Sequence, residues 1–120
     1  MNGARQAAER RGRRAETHAT WLLRAKGYRI LARRFRVPAG EIDLVVRRGN
    51  IVAFVEVKAR ASQAAAAEAV SPHQRRRIAG AAAAWLGRNG EFSDYTLRFD
   101  AVLVTPRRLP LHLVDCWRPD

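Results

Sequence analysis

Residues 40–60 read GEIDLVVRRGNIVAFVEVKAR, and this stretch decides the fold. Two β-rich runs, Ile42–Arg47 and Ile51–Val57, flank Arg48–Gly49–Asn50. Branched and aromatic residues on either side of a Gly-Asn turn signal predict an antiparallel hairpin. With Gly49 and Asn50 as the loop, Arg48 pairs with Ile51, Asp43 falls across from Glu56, and Glu41 falls across from Lys58. A four-residue loop keeps this register and a three-residue loop breaks it. Opposed side chains share a face with Cβ atoms ~5 Å apart. Ile42, Leu44, Val55 and Val57 alternate with them and face the other side. The sequence can therefore place two carboxylates and one ammonium together on a hydrophobic sheet.

The flanking chain supplies the rest of an α/β domain. Gly12 to Lys26 has helical spacing, with Ala15, Ala19, Leu22 and Leu23 near one face and Gly27 as a C-terminal stop. Residues 1–11 form a basic, flexible arm in this reading, and 12–120 a single domain. Tyr28–Phe35 alternates as a strand, and Pro38–Ala39–Gly40 is a turn. Residues 59–70 read as a loop or weak helix. Ser71–Pro72–His73–Gln74 announces a second helix, with Ser71 as N-cap and Gln74 completing a capping box. Ile78, Ala82, Trp85 and Leu86 form its buried stripe, ending at Gly87 or Gly90. Leu97–Val104 and Leu111–Trp117 are further strands. The order α-β-β-β-α-β-β implies a mixed sheet.

Composition narrows the function. At 120 residues the chain is one domain. The longest run without polar side chains, Ala79–Gly87, is nine residues, against ~18 for a bilayer span. The first thirty residues carry charges throughout and lack an apolar signal-type core, so the expected address is cytoplasmic, with no membrane partner. Cys116 is alone, which excludes an internal disulfide and a multi-cysteine zinc site. Net charge is +12, and 21 of the 23 cations are arginine. Residues 1–36 hold eleven cations and two acids. A concentrated arginine excess predicts a polyanion, with nucleic acid ahead of a membrane surface.

Two adjacent carboxylates repel and retain protons unless a cation lies between them. Their oxygens suit a hard divalent ion, which can polarise a phosphate, while a nearby lysine can steady developing charge. A polar strand with an ordinary Glu41–Lys58 ion pair explains the same residues, and geometry alone leaves both readings open.

GEIDLVV (40–46) followed by FVEVKAR (54–60) resembles the bipartite motif of the restriction-endonuclease-like superfamily: an Asp, a spacer, then Glu-X-Lys. More narrowly, the chain resembles the YraN family of small uncharacterised bacterial proteins, distantly similar to archaeal Holliday junction resolvases. Supporting pieces are Gly12 and Glu16, GYRIL at 27–31, Val70–Ser71 and RFDAV at 98–102. The resemblance covers about residues 12–104. It implies an α-β-β-β-α-β core with a mixed central sheet flanked by helices. It also implies a Mg²⁺- or Mn²⁺-dependent endonuclease acting on DNA, with Asp43 and Glu56 as metal ligands and Lys58 as catalytic lysine. Glu16 matches a helix glutamate that approaches the metal from the side; otherwise it pairs with Arg13 or Arg24. Glu41 is expected beside the site. The chain departs from the pattern at Ile42, where the superfamily nominally has proline, and at Gln74–Arg75, where the family often has Lys-Gln. The loop at 59–70 is alanine-rich and lacks glycine.

Arginines 5, 10, 11, 13, 14, 33, 34, 36 and 60, with Gln74 and Arg75, are the candidate nucleic-acid contacts. Such contacts position a backbone without reading sequence, so shape specificity, for branched or structured DNA, is expected. Asp100 reads as structural, paired with Arg98 or a neighbour. Trp21 and Trp85 read as core. The histidines at 18, 73 and 112 share no metal-type spacing. The alternative function is a non-catalytic nucleic-acid-binding module of the same fold; a ribosome- or RNA-associated protein is a weaker option. A homodimer suits symmetric cutting of two strands.

Overall fold

In the computed structural model, which describes residues 2–63 and 70–119, helix α1 (Asn2–Ala25) leads into β1 (Arg29–Val37), β2 (Gly40–Arg48) and β3 (Ile51–Ala59). Helix α2 (Pro72–Arg88) follows, then a 3-10 turn at Gly90–Phe92, β4 (Thr96–Val104) and β5 (Leu111–Trp117). The five strands lie in chain order across one sheet. Every neighbouring pair is antiparallel except β3 and β4, which are parallel. Parallel neighbours need a crossover, and α2 supplies it.

Each helix covers one face. Ala19 and Leu23 of α1 pack on Leu44, Val46, Ala53, Val55 and Val102. Ile78, Ala82 and Trp85 of α2 pack on Ile42, Val45, Phe54 and Phe99. Fully burying one such large side chain stabilises by about 1.5–3 kcal/mol. Gly27 ends α1 with φ +92°, and the Tyr28 amide reaches back to the Leu23 carbonyl at 2.9 Å, a left-handed stop that glycine adopts without strain. The capping box of α2 forms as its sequence predicts: Ser71 Oγ accepts from the Gln74 amide at 3.2 Å, and Gln74 Oε1 accepts from the Ser71 amide at 3.1 Å.

Two expectations change. Helix α1 begins at Asn2 rather than near Gly12. Its first turns are rich in alanine and arginine, and the exposed Gly3 and Gly12 cost only ~1 kcal/mol each in a helix. Trp21 is 66% exposed rather than core. It follows the buried Ala19 by two residues, about 200° around a helix, so it faces away from the sheet. Cys116 is exposed, and its thiol is pushed up to about 11 by local desolvation and the Asp100 charge. Of the loop expected over 59–70, residues 64–69 lie outside the described residues. Among the described residues no helix is long and apolar enough to cross a membrane.

Candidate active site at the fork of the second and third strands

The β2–β3 ladder keeps the predicted register from Arg48↔Ile51 to Leu44↔Val55 and stops there. One residue further, Asp43 Oδ2 accepts the Val57 amide at 2.7 Å. A side-chain carboxylate replaces the main-chain partner, and the strands open as a fork. The fork also breaks alternation. Leu44 joins the α1-side cluster while Ile42 joins the α2-side cluster, so the expected common face of Ile42 and Leu44 is not formed. On β1, Arg34 lies between the pairs Arg33↔Leu44 and Phe35↔Ile42, and its φ of +49° marks a matching irregularity opposite Asp43.

Glu56 faces the fork from β3. Its side chain lines one cleft with Asp43, and Lys58 Nζ stands 3.6 Å from Glu56 Oε2. Glu56 and Lys58 are only 13% and 15% exposed. Burial, then the bond and charge of Asp43, push the Glu56 carboxyl up to about 9 against the opposing pull of Lys58. Two carboxyl groups side by side present oxygen donors that a cation can occupy. A cleft of about 190 Å³ opens here, lined by Asp43, Glu56, Lys58, Glu41, Gln74 and Arg77.

A second cleft of about 360 Å³ adjoins it, sharing Glu41 and Asp43 and adding Glu16, Arg13, Arg34 and Arg36. Asp43 thus stands where two clefts meet. Glu16 pairs with Arg34 rather than Arg13 or Arg24, with Arg34 Nε 3.0 and 3.1 Å from its two oxygens. This bond, and the charge of Glu16, raise the Arg34 pKa further, and Asp43 adds to the effect. Glu41 pairs with Arg36 at 3.1 Å rather than with Lys58, because the fork carries Glu41 away from β3. Both partners are more than half exposed, so this bridge contributes ~0–1 kcal/mol.

The remaining expected contacts divide. Arg13, Arg34 and Arg36 line the acidic clefts, and Arg33 is exposed on β1. Arg14 and Arg60 line a different cleft on the α1 face. Arg75 is turned away: its Nε donates to the Val70 carbonyl at 3.0 Å and its guanidinium lies 5.8 Å from the Trp117 ring centroid. Gln74 caps α2 through its carbonyl oxygen, which leaves its amide donors for the cleft. The sequence reading missed Arg77. It follows Gln74 by three residues and so shares its helix face, which was the available signal.

The donor set fits a divalent ion in type. Mg²⁺ is commonly held by one or two carboxylates, with waters and substrate phosphate filling its other positions. Among the described residues, no group of three or more His, Cys, Asp or Glu side chains converges as a metal cage.

Asp100 is structural, as expected, and its network is wider than Arg98. Arg98 Nε and Nη2 donate to its two oxygens at 2.9 and 2.8 Å, His112 Nε2 lies at 2.8 Å, and the Asp115 amide at 2.8 Å. Arg98 also donates to the Tyr28 hydroxyl, and Lys26 Nζ meets His112 Nδ1. No sequence signal pairs Lys26, Tyr28 or His112 with this network.

Comparison with known proteins places the chain. Residues 15–104 match the model of the Uncharacterised protein family UPF0102. A UPF0102 protein of Parvibaculum lavamentivorans (strain DS-1) is 63% identical over 113 residues, covering 94% of this chain and 85% of that protein. One from Rhodopseudomonas palustris (strain BisA53) is 58% identical over 110 residues, covering 92% and 85%. One from Bradyrhizobium diazoefficiens is 56% identical over 110 residues, covering 92% and 83%. With three-quarters of its length inside the family match and relatives this similar, the chain belongs to the uncharacterised protein family UPF0102, the YraN family.

Proposed function

We propose that this protein is a divalent-metal-dependent endonuclease that hydrolyses phosphodiester bonds in DNA. The observation that carries the reading is the Asp43 carboxylate, held by the Val57 amide at the β2–β3 fork against Glu56, with Lys58 3.6 Å from Glu56. Buried acids and a buried amine at the open end of a sheet are a costly arrangement for stability alone. They suit a site built for charge that arrives with a ligand. A chain of +12 brings a polyphosphate to that site.

When bound, Mg²⁺ or Mn²⁺ supplies charge on the scissile phosphate and makes a water more acidic. Asp43 and Glu56 provide the oxygen donors. Lys58 donates a hydrogen bond to the attacking water or to a phosphoryl oxygen as negative charge grows there. Arg13 and Arg36 hold neighbouring phosphates along the larger cleft, fixing the strand without reading its bases. Water adds to phosphorus, the ester oxygen leaves, and one phosphate end and one hydroxyl end result. Cutting both strands needs two such sites, which a second copy of the chain would provide.

The test is cleavage of duplex, branched and single-stranded DNA in Mg²⁺ and Mn²⁺ by the unaltered protein and by Asp43→Asn and Lys58→Ala. Lys58→Ala is expected to lose at least a hundredfold in rate, the scale of one lost charge-stabilising group, while binding is retained. Full cleavage by Lys58→Ala overturns the mechanism.

One observation favours the second reading, a non-catalytic nucleic-acid-binding module. Although Glu41 lines the same cleft as Asp43 and Glu56, among the described residues no three such side chains converge as a metal cage. That reading predicts metal-independent DNA affinity that falls steeply with salt. An RNA competitor run beside the DNA separates an RNA-associated role from both.

A further inference from the structure

On the α1 face, past the ends of the parallel strands β3 and β4, lies a cleft of about 800 Å³ that the proposed chemistry does not use. Its floor is apolar, with Ala59, Val104, Pro106 and Leu109. Its rim is cationic, with Arg14, Arg60, Arg107 and Arg108 beside His18. Among the described residues none of these arginines has a carboxylate partner.

Three features suggest an absent ligand with both apolar and anionic parts. Leu109 is 84% exposed at the mouth, so the floor continues into open apolar surface. Thr105 lines the cleft, and among the described residues its buried hydroxyl has no hydrogen-bond partner, a state that costs about 1–3 kcal/mol. Arg107 sits at φ +62°, a strained conformation for a side-chain-bearing residue, in the turn that brings Arg107 and Arg108 to the rim. A phosphate ion needs the arginines but not Leu109 and Pro106. A duplex keeps its base faces stacked and has no use for the floor. An unpaired nucleotide has a flat apolar base, polar base edges for a hydroxyl, and an anionic backbone.

The position relative to the acidic fork is also informative. Glu16 and Arg13 of α1 line the clefts around Asp43, while Arg14, Ala15 and His18 line this one. The same two turns of α1 form the ridge between them. Arg60 follows Lys58 by two residues, about 7 Å of strand.

We propose that this cleft receives one unpaired nucleotide of a DNA strand, base on the Pro106–Leu109 floor and phosphates on the arginine rim. The substrate class is then duplex DNA bearing a single-stranded tail or branch that crosses the α1 ridge. This deepens the nuclease reading and rests on its nucleic-acid partner.

The test measures affinity in EDTA, without cleavage, for a blunt labelled duplex and for the same duplex with a short single-stranded tail. The unaltered protein is expected to bind the tailed form about tenfold more tightly, the scale of one base's apolar face buried together with its phosphate contacts. Leu109→Asp and Arg107→Gly are each expected to bring that ratio near one while leaving the blunt duplex within about threefold. Leu109 is solvent-facing and glycine relaxes the strain at 107, so neither change endangers folding. Equal affinity for the two DNAs, or a tail preference that survives both variants, overturns the proposal. Loss of binding to phosphatidylglycerol vesicles by Leu109→Asp, with tail preference intact, overturns it in favour of a lipid-facing patch. The unaltered protein, assayed for cleavage in Mg²⁺ beside its affinities in EDTA, separates the two readings: tail preference with no metal-dependent cleavage rejects the nuclease alone, and cleavage without tail preference rejects the cleft alone.

Discussion

Gly40 lies directly against the backbone of Arg77: a Cβ at Gly40 would stand 1.9 Å from the Arg77 carbonyl oxygen and 2.5 Å from its carbonyl carbon. Helix α2 therefore rests its main chain on the start of β2. A Cβ at Gly80 would likewise lie 3.1 Å from the Ala39 Cβ. This close approach makes Gln74, Arg77 and Ile78 the roof over Asp43 and Glu56. The first glycine of GEID thus has a packing role that composition and periodicity do not disclose.

Gly40→Ala should cost about 3 kcal/mol or more, because the added methyl meets backbone that cannot rotate away. Gly49→Asn is the control. Gly49 has φ +60° with open space around it, and asparagine tolerates that conformation. Urea melts of the two variants should differ by most of that amount. Equal melts would mean that α2 is not seated on β2 as described.

Glu56 makes the protein less stable as pH rises. Its folded pKa of about 9 lies above the ordinary 4.5. Between those values the unfolded chain has released its proton while folded Glu56 keeps it, so the folded state loses ground with each pH unit. Above about 9 both states are ionised and the loss is complete. Glu56→Gln should therefore melt higher than the unaltered protein at pH 8, by an amount equivalent to about 1–3 kcal/mol. Added Mg²⁺ should raise the melting temperature of the unaltered protein and not that of the variant. A variant that melts lower at pH 8 without metal contradicts the burial argument.

Asp100 has the opposite sign. Burial pushes its carboxyl up, but bonds from His112, Arg98 and the Asp115 amide outweigh this and hold it below its ordinary 3.8. Its stabilisation is present above that ordinary value and is lost as pH falls through the depressed one. Asp100→Ala leaves Arg98 buried without its anion and should cost about 3–5 kcal/mol at pH 7. The gap between variant and unaltered protein should narrow on acidification below pH ~3.8. A pH-independent gap would assign the loss to packing rather than to charge.

Most of the fold was legible because each element carried a local signal. The hairpin had its Gly-Asn turn, α2 had Ser-Pro-x-Gln, and α1 had Gly27. Register followed from turn length, and it held from Arg48 to Leu44. It failed at Asp43 because a carboxylate competed successfully with a main-chain carbonyl for the Val57 amide. Periodicity does not report such competition. The partners of Glu16 and Glu41 were illegible for a related reason: both bond arginines on β1, whose geometry depends on the irregularity at Arg34. Asp43, Glu56 and Lys58 were legible because two consecutive strands fix their spacing. The cleft that joins Arg14 and His18 of α1 to residues 105–109 forms only through packing between distant parts of the chain.

Arg34 combines backbone strain with an ion pair, and two substitutions separate them. Its left-handed φ costs about 1 kcal/mol for a residue with a Cβ, and its partly exposed bond to Glu16 returns no more than that. Arg34→Gly should be near neutral in stability, whereas Arg34→Ala keeps the strain, loses the pair and should be lower by about 1 kcal/mol. Both remove a cation from a cleft that contains Glu16, Glu41 and Asp43. Divalent-ion affinity, measured by calorimetry without DNA, should tighten roughly two- to fivefold in Arg34→Gly, the scale of one screened charge. Glu16→Gln should weaken it by a similar factor if Glu16 faces the ion. If Glu16→Gln leaves ion affinity unchanged while Arg34→Gly tightens it, Glu16 serves only to anchor Arg34, and the ion is held by Asp43 and Glu56 alone.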